Sequence, residues 1–205
     1  DPGAMANGVQ ESLVNLSVTL KAAALLEDAG YQVRLTRTDE TYLTLKERVR
    51  LANEGRVAIF VSIHSNSATS ASVYGITTYY CTGSSGGKVL ARTVHAALLE
   101  ATGGHDRGVE NNIFYVIRYT DMPAILIELG FLTNKDEAAL LADPDYQARL
   151  AAGVAAGIQS YFTLPPADRG LPLQEESTGS EAAPGETPPA ADIDPGALEE
   201  PIPAA

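Results

Sequence analysis

Residues 57–67 read VAIFVSIHSNS, an apolar, β-branched run that stops at His64 and gives way to Ser65, Asn66 and Ser67. A second run, Ala124-Ile125-Leu126-Ile127-Glu128-Leu129-Gly130-Phe131, carries a single acid near its end. Both are apolar at successive rather than alternate positions, as in strands covered on both faces, and such strands belong to parallel sheets between helices. Working outward, strand and helix periodicities alternate. Glu11–Asp28 spaces Leu13, Leu16, Leu20, Ala24 and Leu25 as a helix does, with Gly30 as its stop. Tyr31–Thr36 alternates as a strand, and Thr44-Leu45-Lys46-Glu47 is a capping box opening a helix through Leu51. Gly75–Tyr80 reads as a strand, Lys88–Glu100 as a helix ending at Gly103-Gly104, Ile113–Ile117 as a strand and Asp145–Phe162 as a closing helix. The expected fold is α/β, a mostly parallel central sheet flanked by helices in a single domain over residues 1–163.

Residues 164–205 differ in kind. They hold nine of the 12 prolines, no aromatic residue, and nine acids against one base, Arg169. Such a segment buries too little apolar surface to offset its ordering entropy, so it is expected to be a disordered acidic tail or linker. It also carries −8 of the chain's net charge of −12, which leaves neither part with the basic patch that nucleic acid or an anionic membrane attracts. Cys81 is the single cysteine, so no intramolecular disulfide forms. No apolar run approaches the roughly 18–20 residues of a membrane-spanning helix. Asp1-Pro2-Gly3 reads as the middle of a phrase, with the expectation that sequence precedes it.

In open α/β sheets ligands gather at the carboxyl ends of strands, where His64 sits. Imidazole binds metals and moves protons near neutral pH, although a histidine hydrogen-bonded in a strand-to-loop corner is the packing explanation. Glu128 ends the second buried run, where a carboxylate is costly unless paired, metal-bound or protonated. Arg37 is the pairing partner to hand. Glu11 stands where a loop enters the first helix, and the helix dipole alone favours an acid there. His105 reads as an exposed loop residue and His95 as part of a helix. Ser62 and Ser65 flank His64 without the strand–elbow–helix setting of a nucleophile. The residues by themselves point to a hydrolase-type site of carboxylates and one histidine at the sheet's carboxyl edge.

Four phrases, in this order, resemble the zinc-dependent N-acetylmuramoyl-L-alanine amidases, bacterial cell-wall hydrolases. They are Asp1-Pro2-Gly3-Ala4 leading to Glu11-Ser12, Leu35-Thr36-Arg37 with Leu45–Asn53, Phe60–Asn66, and Met122-Pro123-Ala124 through Asn134. The resemblance implies that Glu11 and His64 are zinc ligands and that Glu128 is the catalytic glutamate. It implies peptidoglycan as the substrate, extracytoplasmic action and a monomer without membrane insertion. The family's other histidine ligand belongs to a His-Gly-Gly stretch just before Asp-Pro-Gly-Ala, so a chain beginning at that Asp is expected to lack the first strand and one ligand, with impaired zinc affinity. Two rival readings are a zinc peptidase cutting within the peptide stem and a metal-free peptidoglycan-binding module.

Overall fold

The two apolar runs lie side by side in one sheet, the second in its interior and the first at its edge. The computed structural model describes residues 2–171. In chain order these form a hairpin of β1 (Met5–Ala6) and β2 (Val9–Gln10), α1 (Glu11–Asp28), α2 (Leu45–Gly55), β3 (Phe60–Asn66) and β4 (Ile76–Cys81). There follow α3 (Ser85–Thr102), β5 (Asp106–Asn112), α4 (Tyr115–Arg118), β6 (Ala124–Phe131), α5 (Lys135–Ala142) and α6 (Pro144–Thr163). The main sheet runs β3-β6-β4-β5. Two parallel pairs, β3 with β6 and β4 with β5, meet at one antiparallel seam between β6 and β4. Every residue of β6 is buried, as its unbroken apolar pattern requires.

Helices α1, α3 and α6 cover one face of the sheet, burying Val18, Leu90, Val94, Leu98, Leu150 and Val154 among others. The other face is smaller, with α2 and α4 closing Val49, Val116 and Ile117 over Phe60, Ala124 and Leu126. The capping box forms as expected: Thr44 Oγ1 accepts from Glu47 N, and Glu47 Oε2 accepts from Thr44 N at 2.8 Å. Gly103, at φ 66°, ends α3 in the left-handed conformation that glycine adopts without strain.

Four expectations are corrected. Tyr31–Thr36 keeps its alternation, with Tyr31 and Val33 half-buried and Gln32 and Arg34 exposed, but is not a strand. Alternation records one-sided burial, whereas a strand also needs a neighbour for its backbone, and none lies beside it among the described residues. Ile113–Ile117 is not a strand either. Ile113 is exposed, and Ile117 N and Arg118 N both donate to Phe114 O to close the turn of α4. The strand lies just before it, where β5 is a polar edge strand with no apolar alternation to betray it. In α1 the buried stripe is Val14, Val18, Ala22 and Leu26, while Leu13, Leu20 and Leu25 are exposed. That helix is apolar around most of its circumference, so spacing alone did not choose the inward face.

The fourth correction concerns the start of the tail. Residues 164–171 fold back on the domain through a 3-10 turn at Pro166–Arg169. Arg169 Nε donates to Leu164 O at 2.9 Å and Nη2 to Phe162 O at 2.5 Å, satisfying carbonyls at the end of α6. One well-placed arginine thus orders a segment whose composition alone reads as disordered. The rest of the expected tail, 172–205, lies outside the described residues.

Helices α3 and α6 approach each other closely. A Cβ on Gly153 would sit 2.8 Å from Leu98 Cα, and one on Gly157 would collide with Val94 Cα. Gly157→Ala therefore sets helix propensity against packing. Propensity alone would raise stability by about 1 kcal/mol, whereas overpacking costs about 1–3 kcal/mol and cannot be relieved by turning a flexible side chain. Thermal melts should show a Tm lower by several degrees. A rise in Tm would show that the two helices separate freely.

Candidate active site

His64 and Glu128 are paired in register across the parallel β3–β6 ladder, and Thr77 of β4 is opposite Glu128 on its other side. Residues level in neighbouring strands project to the same face, so the two run-ending residues are neighbours. The β3–β6 register shifts directly beyond them, between His64 and Asn66. Such an irregularity re-aims side chains where pairing ends.

Glu11, in the first turn of α1, closes the site from the helix side. Its Oε1 lies 2.9 Å from His64 Nδ1 and accepts from Asn15 Nδ2 at 3.1 Å, while Oε2 accepts from Ala4 N at 2.8 Å. Burial pushes the Glu11 carboxyl up, but the hydrogen bond and charge of His64, with Ala4 N–H and Asn15, outweigh it and leave its pKa below 4.5. Gly3, at φ 69°, brings the preceding loop so close that a Cβ would meet Glu11 Oε2 at 2.5 Å. On the far side of the imidazole, Nε2 lies 3.1 Å from Ser62 Oγ.

Two further residues hold this pair, Ser65 and Asn15, and the second escaped sequence reasoning. Asn15 is buried one helical turn after Glu11, and its Oδ1 accepts from the buried Ser65 Oγ at 2.9 Å. A polar residue four positions after the acid, one turn on and so on the same face of the helix, was the available signal. Glu128 is fully buried, and neither carboxyl oxygen has a hydrogen-bond partner among the described residues. Burial first, and then the charge of Glu11, raise its pKa well above 4.5. The expected alternative, pairing with Arg37, is overturned: that guanidinium donates to Ser12 O at 2.7 Å and Asp39 O at 2.8 Å. His105 stacks on Tyr74 with ring centres 4.5 Å apart. His95 is structural, lying between Thr78 Oγ1 at 3.0 Å and Asp106 Oδ1 at 2.9 Å.

Glu11 and His64 open onto a cleft of about 1830 Å³ between α1, the 31–37 segment, α2 and the outer edge of β3. Comparison with known proteins gives this arrangement its context. Residues 1–160 match the profile of the family described as N-acetylmuramoyl-L-alanine amidase. The chain belongs to that family. It is 38% identical over 164 residues to YqiI of Bacillus subtilis, covering 79% of each chain. It is 36% identical to the N-acetylmuramoyl-L-alanine amidase LytC of the same organism, covering 79% of this chain and 33% of that one. The catalytic domain of CwlV, an amidase from Bacillus (Paenibacillus) polymyxa var. colistinus, superposes with a TM-score of 0.76 at 41% identity, covering 80% of this chain and 93% of that one.

The zinc implied by the family resemblance can be set against the donors present. A catalytic zinc takes three protein donors at about 2.0–2.2 Å, which in a tetrahedron lie roughly 3.3 Å from one another. Glu11 Oε1 and His64 Nδ1, 2.9 Å apart, are donors of the right kind placed side by side. No group of three or more such side chains is gathered among the described residues, so the fit is in kind and supplies two of three donors.

The raised pKa of Glu128 makes a stability prediction. The folded state holds this proton more tightly than the unfolded chain, so the stabilisation is complete below about pH 4.5 and lost as pH rises through the folded pKa. Glu128→Gln has no such titration, while the opposite contribution of Glu11 is shared by both proteins. In chelator-treated buffer the Tm of the parent minus that of Glu128→Gln should decline steadily from pH 4.5 to 8. A flat difference would mean that Glu128 is not held protonated.

Proposed function

We propose that this chain hydrolyses the amide between N-acetylmuramic acid and L-alanine in peptidoglycan, with zinc held in part by Glu11 and His64, and Glu128 as general base. The observation that carries the reading is the buried, unpartnered Glu128 in register with a histidine that already contacts a second carboxylate, in a chain of the amidase family. Zinc at this position would supply Lewis acidity toward the amide carbonyl and lower the pKa of water.

The chain's own residues do the rest. Asn15 and the Ala4 amide hold the Glu11 carboxylate, and Ser62 and Glu11 fix the orientation of the His64 ring. The apolar setting of Glu128 brings its affinity for a proton toward that of a shuttle, able to take one from water and return it to the leaving amine. Glu128 is covered, so this role requires an opening beside His64 through which water comes within about 2.6–3.2 Å. No helix among the described residues is long and apolar enough to cross a membrane. We place the activity outside the cytoplasm, where peptidoglycan lies, and assign it to a monomer.

The test supplies zinc to the chain with purified peptidoglycan and identifies the products. New L-alanine amino termini with free lactyl groups on the sugar support the reading. Glu128→Gln should retain zinc yet lose about 10²–10⁴ in rate. Cleavage within the stem would make the protein a peptidase, and binding to sacculi without new amines would make it a metal-free module. Near-parental turnover by Glu128→Gln would remove that residue from its role.

A further inference from the structure

Two cations share the cleft with Glu11 and His64, and neither forms a close ion pair among the described residues. Arg37 and Arg48 both line it and are both half-buried. Arg37 is committed to main-chain oxygens of Ser12 and Asp39, which hold its guanidinium between the first turn of α1 and the loop beyond residue 36. Arg48, in the first turn of α2, uses Nε to reach Leu43 O at 3.1 Å, and its two terminal nitrogens have no hydrogen-bond partner among the described residues. Neither guanidinium lies within 4.0 Å of a carboxylate among those residues.

Three acids of this region hold other hydrogen bonds. Asp39 accepts from Thr41 N at 2.8 Å, Glu47 from Thr44 in the capping box, and Glu11 from Ala4, Asn15 and His64. Half-burying two like charges together without a counter-ion is unfavourable, and arginine cannot escape by losing its proton. Burial and then Arg37 push the Arg48 guanidinium down from its usual pKa, with Tyr42 and Glu11 opposing, which records the same frustration. A fork of free N–H groups in an aqueous cleft matches a planar carboxylate.

We propose that Arg48, supported by Arg37, receives a carboxylate of the peptide stem and so selects substrates bearing a free acid next to the L-alanine. This specificity rests on the amidase reading of the neighbouring site. Glu11 and His64 stand at the same cleft, so a substrate whose amide lies against them extends its peptide along the wall that carries the two arginines. Arg37 acts as a positioning and charge-reinforcing residue, because two of its five N–H groups already hold it to main-chain oxygens. Arg48 supplies the contact.

The experiment compares binding of muramoyl-L-alanyl-D-glutamate and its α-amide to the full 205-residue chain. Calorimetry or NMR titration requires no turnover. The parent should prefer the free acid by about ten- to a hundred-fold, the scale of a charge-assisted pair, and the preference should shrink as salt rises. Arg48→Gln should reduce it to less than about threefold, mainly by weakening the acid. Arg48→Lys, which keeps the charge but loses the fork, should fall between. Melting curves establish that the variants fold. If Arg48→Gln does not, a preference in Arg48→Lys clearly below the parent's supports the proposal, and one equal to the parent's overturns it. Equal affinity of the parent for acid and amide, or full preference in a folded Arg48→Gln, also overturns it. If discrimination follows Arg48 but the zinc-supplied chain never cleaves the muramoyl–alanine bond, the carboxylate seat stands and the amidase reading falls.

Discussion

A carboxyl group with no hydrogen-bond partner at the centre of a sheet is among the costlier things a fold can contain, and Glu128 is that group here. Every residue around it in β6 is buried, and β3 and β4 close it from both sides. Ionising it there would place a charge in a low-dielectric interior beside a second carboxylate, which raises its pKa well above the usual carboxylate value. The sheet order is what creates this situation. Only because β6 lies between β3 and β4 is the acid sealed laterally while remaining level with His64.

The remainder of the site distributes charge around that acid. Glu11 is kept anionic by His64, Asn15 and a main-chain amide, which in turn raises the cost of ionising Glu128. Two carboxyl groups are thereby driven apart in pKa by their surroundings, the pattern expected where one holds a cation and the other moves a proton. At the cleft wall the imbalance has the opposite sign, with two arginines and no carboxylate within 4.0 Å of either among the described residues. One small region thus holds an excess of proton affinity at the sheet and an excess of positive charge on α2 and the 31–37 segment.

Legibility in the sequence followed the strength of the local signal. The β3 and β6 runs, the capping box at Thr44 and the long helices α1, α3 and α6 each carry a periodicity or a cap that depends on neighbours in the chain. Strand β5 carries none, since an edge strand facing solvent needs no apolar alternation. The 31–36 segment carries the alternation without the ladder. At the site, His64 and Glu128 stood out because each breaks an apolar run. Asn15 and Ser65 did not, because a short polar side chain in a helix or after a strand is unremarkable until its partner is known.

The sequence by itself determined the α/β class, the two adjacent apolar strands, the three residues Glu11, His64 and Glu128 as candidates, and a family resemblance through phrases between residues 1 and 134. These follow from covalent order, since periodicity, caps and motif phrases are properties of adjacent residues. The tertiary structure decided that β6 runs antiparallel to β4, that Val14 rather than Leu13 faces the core, and that Arg169 orders the chain beyond α6. It also decided that Arg37 turns to main-chain oxygens and that Glu128 has no ion-pair partner among the described residues. Each of these depends on which groups meet across tens of residues, where burial and hydrogen bonding choose among partners that local sequence leaves equivalent.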